Sequence, residues 1–121
     1  MNGTNHWIEL VTTYKLSEEI MDKFANKLDW YFVCSYQTLS EEFIIKHEYY
    51  IYWSVVVIFQ QLSESFIEQH SDKLDWELVS RHQKLSEQFI EKHSDKIHWK
   101  HLNEYQDLSR KFIYEHRNKI F

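Results

Sequence analysis

The chain has 121 residues, 43% of them hydrophobic and 17% aromatic, which suits one domain with a substantial core. A net charge of −5 argues against a broad nucleic-acid-binding surface. Cys34 is the sole cysteine, so no internal disulfide can form, a composition compatible with an intracellular site.

The first stretch, Met1 to His6, is polar and carries no apolar signal region. The longest uncharged run, Tyr49 to Ser63, falls short of the roughly 20 apolar residues a bilayer-spanning helix needs. A soluble, cytoplasmic protein is expected. There is no proline, and Gly3 is the only glycine, which disfavours an all-β chain rich in tight turns.

From Trp7 onward the chain repeats. Trp7, Trp30, Trp53, Trp76 and Trp99 recur every 23 residues, and Leu16, Leu39, Leu62, Leu85 and Leu108 keep the same step. The copies are residues 7–29, 30–52, 53–75, 76–98 and 99–121, here read as one repeat domain over 1–121. Three residues after each tryptophan stands an aliphatic, Val33 or Val79 for example, and six after stands Thr13, Tyr36, Phe59, His82 or Tyr105. Pairs such as Phe43-Ile44 and Phe89-Ile90 follow, and each copy closes with a leucine or isoleucine such as Leu28 or Ile97.

Spacings of three and four are helical. The serines Ser17, Ser40, Ser63, Ser86 and Ser109 read as N-caps, with an acid behind all but the last of them, where the helix dipole favours it. Asp29 and Asp75 mark a second helix start before the tryptophan; Tyr52 and His98 replace them in the other internal copies. Each copy is therefore predicted as two short helices, roughly Trp76 to Gln83 and Glu87 to Ser94 in the fourth. Helices this short are not stable alone and need stacked neighbours. The expected fold is an all-α helical-repeat solenoid of five two-helix units, a rod on the order of 50 Å long at ordinary helix spacings. The tryptophans are expected to be largely buried. The first and last copies, with His6 before Trp7 and with Arg110-Lys111 in place of acids, are expected to serve as more polar caps.

The segments Leu62–Trp76 and Leu85–Trp99 resemble the tandem "LSEEFIEKHxDKxDW…YQK" repeats of proteins from large DNA viruses, bacteriophages and some bacteria. The resemblance covers nearly the whole chain. It implies a viral or mobile-element origin and carries no active site.

No nucleophile elbow, phosphate-binding loop, C-x-x-C or H-E-x-x-H motif is present, so no catalytic residue, cofactor or enzyme activity is expected. His47, His70, His93 and His116 share one column with Phe24. Equivalent positions on stacked units lie about one helix spacing apart, too far to share a metal ion, so this column reads as a half-buried packing slot and no metal is expected.

Two surfaces could bind a partner. The third copy and the end of the second carry apolar residues at columns where siblings such as Lys27, Asp75, Ser80, Asn103 and Arg81 are polar: Tyr49, Tyr50, Tyr52, Val57 and Ile58. They are expected to form an exposed patch that binds another protein, a host protein among the options, or a second copy of the chain as a homodimer. The alternative is an acidic stripe of Glu18, Asp22, Glu41, Glu64, Glu68, Glu87 and Glu91, which would let the chain act as an inhibitor of a host nucleic-acid-binding machine, in the manner of phage anti-defence proteins. Direct nucleic-acid or membrane binding is not expected.

Overall fold

The computed structural model describes residues 6–121. The reading of the polar N-terminus rests on residues 1–5, which lie outside them. Among the described residues there are ten α-helices, two 3-10 turns and no strand. The helices are α1 (His6–Thr13), α2 (Glu18–Lys23), α3 (Trp30–Tyr36), α4 (Glu41–Lys46), α5 (Trp53–Phe59), α6 (Glu64–Gln69), α7 (Trp76–His82), α8 (Glu87–Lys92), α9 (Arg110–Glu115) and α10 (Arg117–Ile120). The chain divides into two compact units, one ending at Gln60 and one beginning at Gln61. In the first, α1 packs on α3 and α3 on α5.

Each of the first four copies supplies a tryptophan-led helix and a serine-capped helix. The caps form as the residue types require. Ser40 Oγ accepts from Phe43 N at 3.1 Å, and Ser17, Ser86 and Ser109 do the same three residues ahead. Asp29 and Asp75 accept from the backbone N–H groups of Tyr31 and Glu77, while Tyr52 makes no side-chain cap bond. Each serine-capped helix ends in the histidine column, where the backbone leaves helical geometry.

The fifth copy differs from the expected two-helix unit. Its first half is a 3-10 turn, Leu102–Glu104, entered through His101 in the left-handed region at φ 63°. No aspartate stands before Trp99, and the His101 N–H donates to Ile120 O at 2.9 Å rather than into a helix.

The core comprises columns of the repeat. Val33, Val56, Val79 and Leu102 are fully buried, as are Met21, Ile44, Ile67 and Ile90. Leu39, Leu62, Leu85 and the closing residues from Leu28 to Ile120 add to it. The tryptophans are covered for the most part, as expected: Trp30 is buried, and Trp7, Trp53, Trp76 and Trp99 are half-buried. They lie over the core rather than within it. Each indole has an apolar face to cover and one N–H to satisfy. Trp30, Trp76 and Trp99 donate to the carbonyl five residues back, at 2.8, 3.0 and 2.9 Å, and stack on the phenylalanine and histidine of their own copy.

The column six residues after tryptophan faces outward. Tyr36, Phe59 and Tyr105 are exposed, and so are Thr13 and His82. The buried face of the first helix runs instead through the positions three, four and seven after tryptophan. The column at four is Val11, Cys34, Val57 and Ser80, all buried, and the half-buried Asn103; the column at seven is Gln37, Gln60, Gln83 and Gln106, all buried, with the exposed Tyr14 in the first copy. Val57 was expected on an exposed patch and is wholly inside. Its sibling Ser80 is tolerated there because its hydroxyl donates to Trp76 O at 2.7 Å and accepts from His98 N at 3.0 Å.

The glutamines join successive copies. Gln37 Nε2 donates to Val11 O and Tyr14 O at the end of α1, while its Oε1 accepts from Leu16 N. Gln60 repeats this toward Cys34 O, Gln37 O and Leu39 N, and Gln106 toward Ser80 O, Gln83 O and Leu85 N. A primary amide has two N–H donors and an acceptor oxygen, which is what these three backbone groups need. The carbonyls belong to a helix end, where no intrahelical donor is available.

Candidate interaction surface

Tyr49, Tyr50 and Tyr52 emerge on the surface of the first unit as expected, and Tyr49 is 96% exposed. They stand there because the turn after α4 carries tyrosines where the copies on either side carry lysine, aspartate or asparagine. Ile58 is half-buried, and Val57 is 0% exposed and takes no part.

Three rings join the tyrosines that sequence reading did not assign to this face. Tyr31, Tyr36 and Phe59 are 47%, 60% and 59% exposed. Tyr31 and Tyr36 project from α3 and Phe59 from the end of α5. The residues form two grooves. One, about 430 Å³, is lined by Asp29, Trp30, Tyr49, Tyr50 and Tyr52 with Leu28 and Ile51. The other, about 340 Å³, is lined by Tyr31, Phe32, Ser35, Tyr36 and Phe59. Tyr31 meets Tyr52 edge-on at 5.7 Å, connecting the groove walls. Tyr50 lies flat on Trp30, with centroids 5.2 Å apart and planes at 12°. Offset ring pairs of this kind hold large apolar groups in fixed positions at the surface.

The acidic stripe is engaged within the chain. Glu18 accepts from Ser40 N and Ser40 Oγ at 2.7 and 2.9 Å. Glu64 does the same with Ser86 and Glu87 with Ser109. These carboxylates thus reinforce the cap of the next copy. Asp22 pairs with Lys46 at 2.9 Å and His47 at 2.6 Å, Glu68 pairs with Lys92 at 2.6 Å, and Glu91 faces His116 at 3.3 Å. Glu41 is half-buried and also has a partner.

The Lys46 ammonium, followed by His47, holds the Asp22 carboxyl below the usual aspartate range, and Lys92 does the same for Glu68. Folding therefore favours their ionised forms. The resulting stability is present above the ordinary carboxylate range and is lost as pH falls through the lowered values. The Asp22→Asn, Glu68→Gln double variant should show a shallower loss of stability than the parent as pH drops from about 5 to about 3. Both groups are only half-buried and open to solvent screening, so the difference should be small. Parallel pH titrations of the melting midpoint provide the check; identical slopes would mean that these pairs have no part in acid sensitivity.

Three histidines of the shared column lie in the expected packing slot. His47, His93 and His116 each stack between a tryptophan and a phenylalanine, 5.0 to 5.6 Å from the tryptophan centroid. Among the described residues, no three histidine, cysteine or acidic side chains are placed to hold a metal ion together. Cys34 lies in the core, and burial pushes its thiol above the ordinary value, which keeps it protonated.

A second apolar groove, about 340 Å³, lies in the other unit between Arg110, Ile113, Tyr114, Arg117 and Phe121. Here Arg117 covers the Tyr114 ring at 4.1 Å. Among the described residues no helix is long and apolar enough to cross a membrane. Comparison with known proteins finds no matching family, no matching curated protein and no matching solved structure.

Proposed function

We propose that this chain is a non-enzymatic protein-binding module, a helical-repeat solenoid that presents the aromatic face of its first unit to a protein partner or to a second copy of itself. The observation that carries this reading is the concentration of Tyr31, Tyr36, Tyr49, Tyr50, Tyr52 and Phe59 on one surface, all substantially exposed. Tyrosine offers a broad apolar ring, a polar tip and few rotatable bonds to freeze, the properties of an interface anchor. The solenoid is supported by the glutamine and glutamate bonds, which link one copy to the next at the same positions. The resemblance of the repeat to viral and phage proteins favours a host protein as the partner and the host cytoplasm as the compartment.

The acidic-inhibitor alternative is less well supported, because most of its carboxylates already cap helices or pair with lysines. The two readings respond differently to salt. Binding through aromatic rings should persist at about 0.5 M salt, whereas binding through an acidic stripe should weaken steeply.

The variant Tyr50→Lys, Tyr52→Asp installs residues found at the same columns of sibling copies. It should keep its helical circular dichroism and melt within a few degrees of the parent. It should also lose dimerisation in sedimentation equilibrium, or lose the partner the parent retains from host lysate. A folded variant that dimerises and captures the same proteins as the parent would remove the aromatic face from consideration.

A further inference from the structure

The last copy presents three backbone groups that in earlier copies are met by a glutamine. Gln106 bonds to Ser80 O, Gln83 O and Leu85 N of the fourth copy. The equivalents one copy later are Asn103 O, Gln106 O and Leu108 N. Among the described residues no hydrogen bond reaches any of the three. The local register is kept, because Gln106 N donates to Leu102 O at 3.0 Å as Gln83 N does to Val79 O at 3.1 Å. Asn103 Oδ1 is also buried without a partner. Groups of this kind are normally paired in a finished interior.

The apolar side of this edge is open as well. In the column of Met21, Ile44, Ile67 and Ile90, all fully buried, Ile113 is only half-buried. It lines the groove that also holds Tyr114 and Phe121, both exposed. The charge at the edge is reversed. Glu18, Glu64 and Glu87 each accept from the serine of the following copy, but the residue in their column here is the exposed Arg110. The groove is lined by Arg110 and Arg117 and by no acidic side chain. An ordinary copy stacked here would bring a serine N–H against a guanidinium, where an acceptor is needed.

A second copy of the chain does not meet these requirements. Its four column glutamines are buried, and its first copy carries Tyr14 in that column. A phenol has one O–H to donate and cannot serve two carbonyls as a primary amide does.

We infer that the edge formed by Asn103, Gln106, Leu108 and Arg110 binds a short amphipathic helical segment of another protein, one that sets a glutamine amide on the three backbone groups and an acidic side chain against Arg110. The segment stacks on the fifth copy as the fifth stacks on the fourth, with the charge pair reversed. This surface belongs to the second unit and is independent of the aromatic face of the first.

The probe is the fourth copy as a free peptide, residues 76–98, acetylated and amidated, carrying Ser86→Asp. Gln83 supplies the amide. The introduced carboxylate remains an N-cap and offers Arg110 a bidentate acceptor. Glu77 and Arg81, which pair at the exposed surface of α7, are replaced by a hydrocarbon staple, so that the short helix is formed before binding. Carbon–proton NMR follows the Ile113 methyl groups and the Tyr114 and Phe121 rings of the intact chain. These resonances should shift saturably. Gln83→Leu in the peptide should weaken binding roughly tenfold or more. The peptide that keeps Ser86 should bind the parent chain several-fold more weakly than the Ser86→Asp peptide. Arg110→Glu returns the sibling residue at an exposed position of the chain, and should reverse that preference. If that variant does not fold, the parent chain's choice between the two peptides decides the charge pair.

No saturable shift at millimolar peptide, or shifts that spare Ile113, Tyr114 and Phe121, would overturn the inference. So would equal binding of the Gln83→Leu peptide, or no preference between the two peptides at position 86. Shifts of the same resonances on concentrating the chain alone would make a second copy the occupant and overturn it too.

Discussion

Replacing Gln106 with leucine should destabilise the second unit by about 3–5 kcal/mol, more than any surface substitution on the chain. The side chain is buried, and three backbone groups depend on it: Ser80 O at 2.8 Å, Gln83 O at 2.6 Å and Leu85 N at 3.0 Å. Leucine fills a similar volume but neither donates nor accepts. Each orphaned buried group costs about 1–3 kcal/mol, and partial entry of water keeps the total below the simple sum. For a unit of this size the melting midpoint should fall by about 15 °C or more. Gln106→Glu tests the donors specifically, because it sets carboxylate oxygens against two carbonyl oxygens. Its protonated form can donate one bond and its ionised form none. The folded-state pKa of that carboxyl is therefore raised, and the variant should lose stability as pH rises through it. Calorimetry of both variants decides the matter. A loss below about 1 kcal/mol for leucine would mean that water or a rearranged backbone replaces the amide without difficulty.

The period, the helical class and the serine and aspartate caps were legible because each depends on local chemistry at fixed spacing. The pattern of tryptophan, an aliphatic three residues later and a Leu-Ser pair nine and ten residues later identifies two helix starts in each copy. The glutamine column was harder to see. Polar residues are usually exposed, and nothing in a single copy reveals that an amide will meet three backbone groups of the preceding copy. Helical geometry contained the signal: from Trp76, one face passes through Val79, Ser80 and Gln83, at intervals of three, four and seven. Tyr36 and Phe59, six residues after their tryptophans, lie off that face, which is why they add to the candidate surface. The partners of the acidic column were hidden for a related reason. Like charges four apart on one helix suggested a solvated stripe, but the partners of Glu64 and Glu87 are serines 22 residues ahead.

Val57→Asp should abolish cooperative folding of the first unit, whereas Tyr49→Asp should leave its melting midpoint within a degree or two. Both replace an apolar residue by the same acid, and they lie eight positions apart in sequence. Val57 has 0% exposure and sits in the column shared with the buried Val11 and Cys34. An aspartate there loses the valine transfer energy, about 1.5 kcal/mol or more, and must bury a carboxylate or bind a proton. Its effective penalty runs to several kcal/mol, a large part of the total stability of a small domain. Tyr49 is 96% exposed, so the acid replacing it remains hydrated and costs almost nothing. Ser80 marks how far the column tolerates polarity: a hydroxyl survives because both of its bonds are satisfied locally, at 2.7 and 3.0 Å, and it carries no charge. Val57→Ser should accordingly be intermediate, folded but weakened by about 1–3 kcal/mol, because the hydroxyl can reach the carbonyl one turn earlier while the packing of two methyl groups is lost. Chemical denaturation of the three variants orders them. If Val57→Asp folded as well as Tyr49→Asp, Val57 would be a surface residue, and the face with columns three, four and seven residues after each tryptophan would not be the one that packs inward.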